Sequence, residues 1–274
     1  MVNRRALVIS GLGLGLASGL AAQPGTSRPI GGPLRLGADS ALFDSGLAQA
    51  LQKAFVRDTG LGVQLAGAAA LPLLDALAAG ELDAALCNTP AAESKLDGQG
   101  LVHDRQPIAS GEFVLVGPAK PINAALRVSK GQTRTATEAL SWLHESATAQ
   151  ADSVVFLSAN DGSGAHVAEE SAWRTARLAP AAPWYRPATA GRSVIAEARE
   201  KGAYALVERG TWSMQGGSPL AILVEGDRQL AEDVHAMRSF RSPHPAGRMF
   251  VAWIAGPRGR AVVAGQRGYR VPIG

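Results

Sequence analysis

The chain has 274 residues, enough to bury a full core in one or two domains. Hydrophobic residues make up 46% and aromatics 5%, with 32 Gly and 16 Pro; this describes short turns between alanine-rich helices and excludes a disordered chain. The formal charge of +4 falls to +2 once a leader holding Arg4 and Arg5 is removed, and the basic residues are scattered, so nucleic acid is not an expected partner.

Met1–Arg5 reads as a basic n-region and Ala6–Leu20 as an apolar h-region. Small residues then lead to a cut before Gln23. Residues 1–22 are therefore expected to be a signal peptide that sends the protein to the periplasm. The run Arg4-Arg5-Ala6-Leu7-Val8 suits a twin-arginine signal and a Sec signal alike. No later apolar run reaches spanning length, so a soluble mature chain is expected. Cys87 is the only cysteine, so neither an intramolecular disulfide nor a cysteine metal cluster is available.

Residues 23–32 read as a loose mature terminus. Strand Leu34–Leu36, helix Asp44–Thr59, strand Val63–Leu65, helix Leu71–Ala79 and strand Asp83–Cys87 follow. Gly60 and Gly80 mark the helix ends. This alternation predicts a parallel sheet with helices on its faces. Glu112–Gly117 reads as a strand closed by Gly117-Pro118. Beyond it come helix Thr137–Thr148, strand Val154–Leu157, helix Val167–Arg177, helix Val194–Glu200 and strand Tyr204–Val207. Leu220–Val224 is a further strand, and Phe250–Ala255 and Arg260–Ala264 are closing elements. The expected organisation is a first lobe from 33–116, a second from 117–217, and a return to the first over 218–274. The crossings fall near 111–118 and 216–222.

Two strand-to-helix turns stand out, Leu34–Ser40 and Phe156–His166. Each passes through small polar residues, so backbone N–H groups converge where an anion can bind. Ser40, Ser158 and Ser163 bring hydroxyls, and Gly162 and Gly164 allow close approach. Ser163 also suits a plain helix cap, as does Asp39. Asn88 either lines a cleft or belongs to an ordinary Asn88-Thr89-Pro90 turn.

Several stretches, taken in order, carry a family resemblance. They are Phe43–Leu47, Gly80–Leu86, Phe113–Pro118, Ser158–His166, Trp184-Tyr185, Ala203–Thr211 and Leu223–Asp227. The chain resembles the periplasmic tungstate-binding proteins of ABC transporters, within the wider class of molybdate- and phosphate-type receptors. The resemblance implies an α/β, two-lobed, type II periplasmic-binding-protein fold with two crossings. It implies a monomer without cofactor or enzymatic step, which closes over a small anion and docks on an ABC transporter permease. Where that family has Thr-Thr-Ser, this chain has Asp39-Ser40-Ala41; where it has Gly-Thr-Gly, this chain has Ala69-Ala70-Leu71. Ala159 stands in place of an arginine and Ala165 in place of a threonine. A tetrahedral dianion needs several donors and a charge-assisted one. Tungstate and molybdate are therefore expected to bind weakly or not at all.

The expected ligand-binding set is Asp39, Ser40, Asn88, Ser158, Asp161, Ser163, Gly164, Arg192, Arg209 and Thr211. Arg209 reads either as the main cation of the cleft or as a structural pair with Glu208, Asp161 or a hinge carboxylate. Arg192 reads either as a replacement guanidinium or as a solvated surface residue. The first alternative is a receptor-like protein that has lost oxyanion binding and serves a different small molecule or a partner protein, in keeping with the alanines at Ala41, Ala70, Ala159 and Ala165. A hydrolase built on Ser163, His166 and Asp161 is the remote alternative, because the spacing of a nucleophile elbow is absent. The remaining histidines show no metal spacing.

Overall fold

The computed structural model describes residues 32–119, 135–150 and 153–272. The expected leader and the start of the mature chain, residues 1–31, lie outside the described residues. The first lobe opens with β1 (Leu34–Asp39), α1 (Ser40–Asp44), α2 (Leu47–Thr59), β2 (Val63–Ala68), α3 (Ala70–Ala79) and β3 (Ala84–Cys87). β1 pairs in parallel with both β2 and β3. α2 buries Leu47, Leu51, Ala54 and Phe55 along one stripe. Gly60, at φ 72°, ends it in the left-handed conformation that glycine adopts without strain.

After α4 (Pro90–Gly98), the chain enters β4 (Val102–Pro118), a strand of 17 residues that serves both lobes. The second lobe holds α5 (Ala136–Ala149), β5 (Phe156–Ser158), α6 (Gly164–Thr175), β6 (Tyr185–Pro187) and α7 (Val194–Lys201). It continues through β7 (Ala205–Glu208), α8 (Arg209–Gln215) and β8 (Leu220–Val224). β9 (Ala231–Ser239), α9 (Pro245–Ala255) and α10 (Pro257–Ala264) complete the chain in the first lobe.

The main sheet runs β2-β1-β3-β9-β4-β7, with β8 also on β4. β9 pairs antiparallel with the first part of β4, from Val102 to Glu112. β7 pairs with Phe113–Val116, and β8 with Leu115–Pro118. Each lobe keeps its own core. Leu34, Leu51, Phe55, Leu86 and Phe250 fill the first, with the Phe55 and Phe250 rings edge to face at 5.2 Å. Phe113, Leu140, Phe156, Trp173 and Trp184 fill the second.

The return to the first lobe comes later than the sequence suggests. β8 stays on the second half of β4, and Leu223, Val224 and Leu230 join the second core. The return is β9, a central strand that the apolar pattern hides. Glu232, Asp233 and His235 interrupt its hydrophobic run, yet Glu232 is 1% exposed. α4, β6 and α8 are likewise elements that the sequence pattern does not announce. Among the described residues no helix is long and apolar enough to cross a membrane.

Candidate functional site

The parallel strands β1, β2 and β3 end at one edge of the sheet, where open α/β sheets hold ligands. Asp39 is the last residue of β1 and is fully buried. Its Oδ1 accepts from the Ala41 N–H at 3.0 Å, which caps α1. Its Oδ2 accepts from the Gly164 N–H, 3.4 Å away at the start of α6 in the other lobe. The Ala70 N–H, which opens α3, also favours the ionised carboxyl. A side chain at Gly164 is impossible without rearrangement, because a Cβ there would sit 2.1 Å from Asn88 Oδ1.

Other bonds close the lobes on each other. The Leu71 N–H donates to the Gly162 carbonyl at 3.0 Å, and Thr211 Oγ1 donates to the Ala41 carbonyl at 3.4 Å. Between the lobes remains a cavity of about 480 Å³. Ser40 and Asp44 line it from the first lobe; Asp161, Ser163, Arg192, Glu208 and Thr211 line it from the second.

Acids dominate the electrostatics. Burial lifts the Asp39 carboxyl to about 7 against the pull of the Ala41 and Gly164 N–H groups, and the charge of Asp161 adds to the rise. Burial lifts Glu232 to about 8, partly offset by a 2.9 Å bond from Asn88 Nδ2. Glu208 is pushed well above the carboxylate range by burial and by the charges of Asp39 and Glu232. Glu208 Oε1, Glu232 Oε2 and Asn88 Oδ1 are buried without a hydrogen-bond partner. Sequence reasoning missed Glu208 and Glu232 as site residues. The available signal was an acid ending the apolar run Ala203–Val207 and another inside a buried strand.

Ser40, Asp161, Ser163, Arg192 and Thr211 thus meet around one cavity, with Asp39, Asn88 and Gly164 directly behind it. Asp161 Oδ1 accepts from the Ser163 N–H at 2.9 Å, and Ser163 caps α6 through the His166 N–H. Arg192 is at the wall but half-exposed, and it pairs with Glu200 at 2.7 Å.

Two expected residues are not in the cleft. Ser158 is buried on the side of Glu169 and Tyr185, away from the cavity. Arg209 faces away from it as well. Its Nε lies 2.7 Å from Glu112 Oε1 and its Nη2 bonds Glu225. It lines a separate cavity of about 390 Å³ with Glu112, Tyr269 and Arg270. The reason is local geometry: Glu208 ends β7 in extended backbone and lines the cavity, whereas Arg209 opens α8, so the two neighbouring side chains leave the chain in different directions.

The Ser163 hydroxyl is engaged by backbone, and His166 Nδ1 accepts from the Gly162 N–H at 3.1 Å, so no serine–histidine pair forms. Cys87 is buried, and burial pushes its thiol well up. Among the described residues no group of three His, Cys, Asp or Glu is placed to hold a metal ion.

Residues 24–254 match the family model of the PBP superfamily domain. The tungstate-binding protein TupA of Peptoclostridium acidaminophilum is 27% identical over 251 residues, which cover 88% of this chain and 85% of the relative. The solved tungstate ABC transporter protein from Geobacter sulfurreducens superposes with a TM-score of 0.71 at 26% identity, over 85% of this chain and 97% of that one. The tungstate binding protein TupA from Desulfovibrio alaskensis G20 gives a TM-score of 0.66 at 26% identity, over 89% of this chain and 100% of that one.

Proposed function

The chain belongs to the PBP superfamily, and from that premise we propose that it is an exported solute-binding protein of an ABC-type uptake system. In the periplasm it works as a monomer, captures a small solute between its lobes, and presents the closed form to a membrane permease. Capture needs no chemistry on the solute. The observation that carries this reading is the cavity of about 480 Å³ walled by both lobes and shut by hydrogen bonds across the cleft. Contacts to both lobes at once are what allow a ligand to favour closure.

The relatives named above bind tungstate. In this chain Ala159 replaces the arginine of the family resemblance, Arg209 is turned away, and the walls carry Asp161 and Glu208. Tungstate and molybdate are therefore expected to bind far more weakly here. Each lost charge-assisted bond costs about 1.5–3 kcal/mol. A thermal-shift screen of oxyanions, carboxylates, amino acids and amines tests the receptor reading. A true solute at a hundred times its Kd should raise the melting temperature by roughly 5–10 °C. A panel in which no solute moves the melting temperature or the radius of gyration contradicts it.

A further inference from the structure

We propose that Asp39 is an internal ligand: its carboxylate fills an anion seat between the lobes and holds them closed in the absence of solute. The proposal rests on the receptor reading and deepens it by assigning the residue that decides whether a free oxyanion can enter. A helix cap requires one oxygen on one lobe, and Oδ1 with the Ala41 N–H supplies that. The second oxygen does something else. Oδ2 crosses the cleft to the Gly164 N–H, the first residue of a 12-residue helix in the other lobe. The Ala70 N–H, from a third strand-to-helix turn, acts on the same carboxyl. Backbone donors from both lobes thus converge on one carboxylate that no solvent reaches. Such donors at helix starts are suited to an oxyanion, and here a carboxyl group that is covalently part of the chain takes that place, its burial lifting it to about 7 against the pull of those donors.

Asn88 is buried and packs against the bare Gly164 backbone, whose N–H donates to Asp39. Opening the lobes breaks the Gly164 bond and brings water to a carboxylate that the closed form keeps dry. A free oxyanion has to displace Asp39 and then sit beside Asp161, while Arg192 at the outer wall is paired with Glu200. The adjoining cavity stays available for the solute.

Asp39→Ser separates the two roles. Serine caps a helix as well as aspartate does, but its side chain is too short to reach Gly164. The measurements are small-angle scattering and calorimetric titration with sodium molybdate near pH 7. The expected result is a larger radius of gyration for the free variant and a molybdate affinity at least ~tenfold above that of the unaltered protein. If the serine variant does not fold, Asp39→Asn keeps size and cap, removes the charge, and is expected to change molybdate affinity in the same direction by less. A variant as closed as the parent overturns the proposal. So does an opened variant that gains no molybdate affinity, or a parent that binds molybdate as tightly as the variant. None of these results touches the receptor reading, which the solute screen on the unaltered protein decides.

Discussion

Raising the pH from about 5 to about 9 is expected to destabilise the protein by several kcal/mol. Asp39 and Glu169 are lifted to about 7 and Glu232 to about 8, in each case chiefly by burial. Unfolded, these carboxyls ionise near 4. Between those limits the native state holds more protons than the unfolded chain, so stability falls as pH rises. The stabilisation is fully present below the unfolded values and is lost as the pH passes through 7 and 8. Asp39 alone accounts for on the order of 3 kcal/mol over this range, since each pH unit between 5 and its folded value of about 7 is worth about 1.4 kcal/mol. Glu197 works in the opposite sense: bonds from Lys201 and Thr189 hold it at about 2, so its contribution disappears only in strong acid. Maximum stability should therefore lie in mild acid. Scanning calorimetry across this range should show the melting temperature falling by roughly 10 °C or more. A melting temperature that is flat or rises towards alkaline pH contradicts the burial of these acids.

Arg209→Ala should weaken the fold by about 2 kcal/mol and leave solute affinity within about twofold. Its guanidinium neutralises Glu112, whose other oxygen accepts from the Gly226 N–H at 2.6 Å. It also bonds Glu225. Together these tie β4 to the loop after β8, at the back of the cleft. Breaking a fully buried pair costs about 3–5 kcal/mol, and partial exposure of this one reduces the figure. Arg209→Lys keeps the charge without the fork and should lose less. Urea unfolding beside ligand titration decides the matter. Loss of binding with an unchanged unfolding midpoint would return Arg209 to the cleft.

The fold was largely readable because the first lobe follows simple rules. Alternating apolar strands and helices closed by Gly60 and Gly80 leave few other arrangements. The ordered motifs from Phe43 to Asp227 supplied the two-lobed plan. What escaped was β9, because a central strand that buries Glu232 against the polar Asn88 loses the apolar pattern that marks buried strands. The same acid is a site residue, so the disruption of the pattern was itself the signal. Arg209 was misplaced because spacing alone does not say which of two adjacent side chains, Glu208 or Arg209, faces the cleft. Asp39 read equally well as a cap or a ligand contact. Its bond to Gly164 lies 125 residues away in sequence, and no local pattern reports such a contact.

If the seat between the lobes is filled by the chain's own carboxyl group, a crystal of the unaltered protein grown in millimolar tungstate near pH 7, with data collected at the tungsten absorption edge, should show closed lobes. Asp39 should lie within hydrogen-bonding distance of the Ala41 and Gly164 N–H groups, with no anomalous peak between them. A tungsten peak in that position, with the Asp39 side chain displaced, would contradict it.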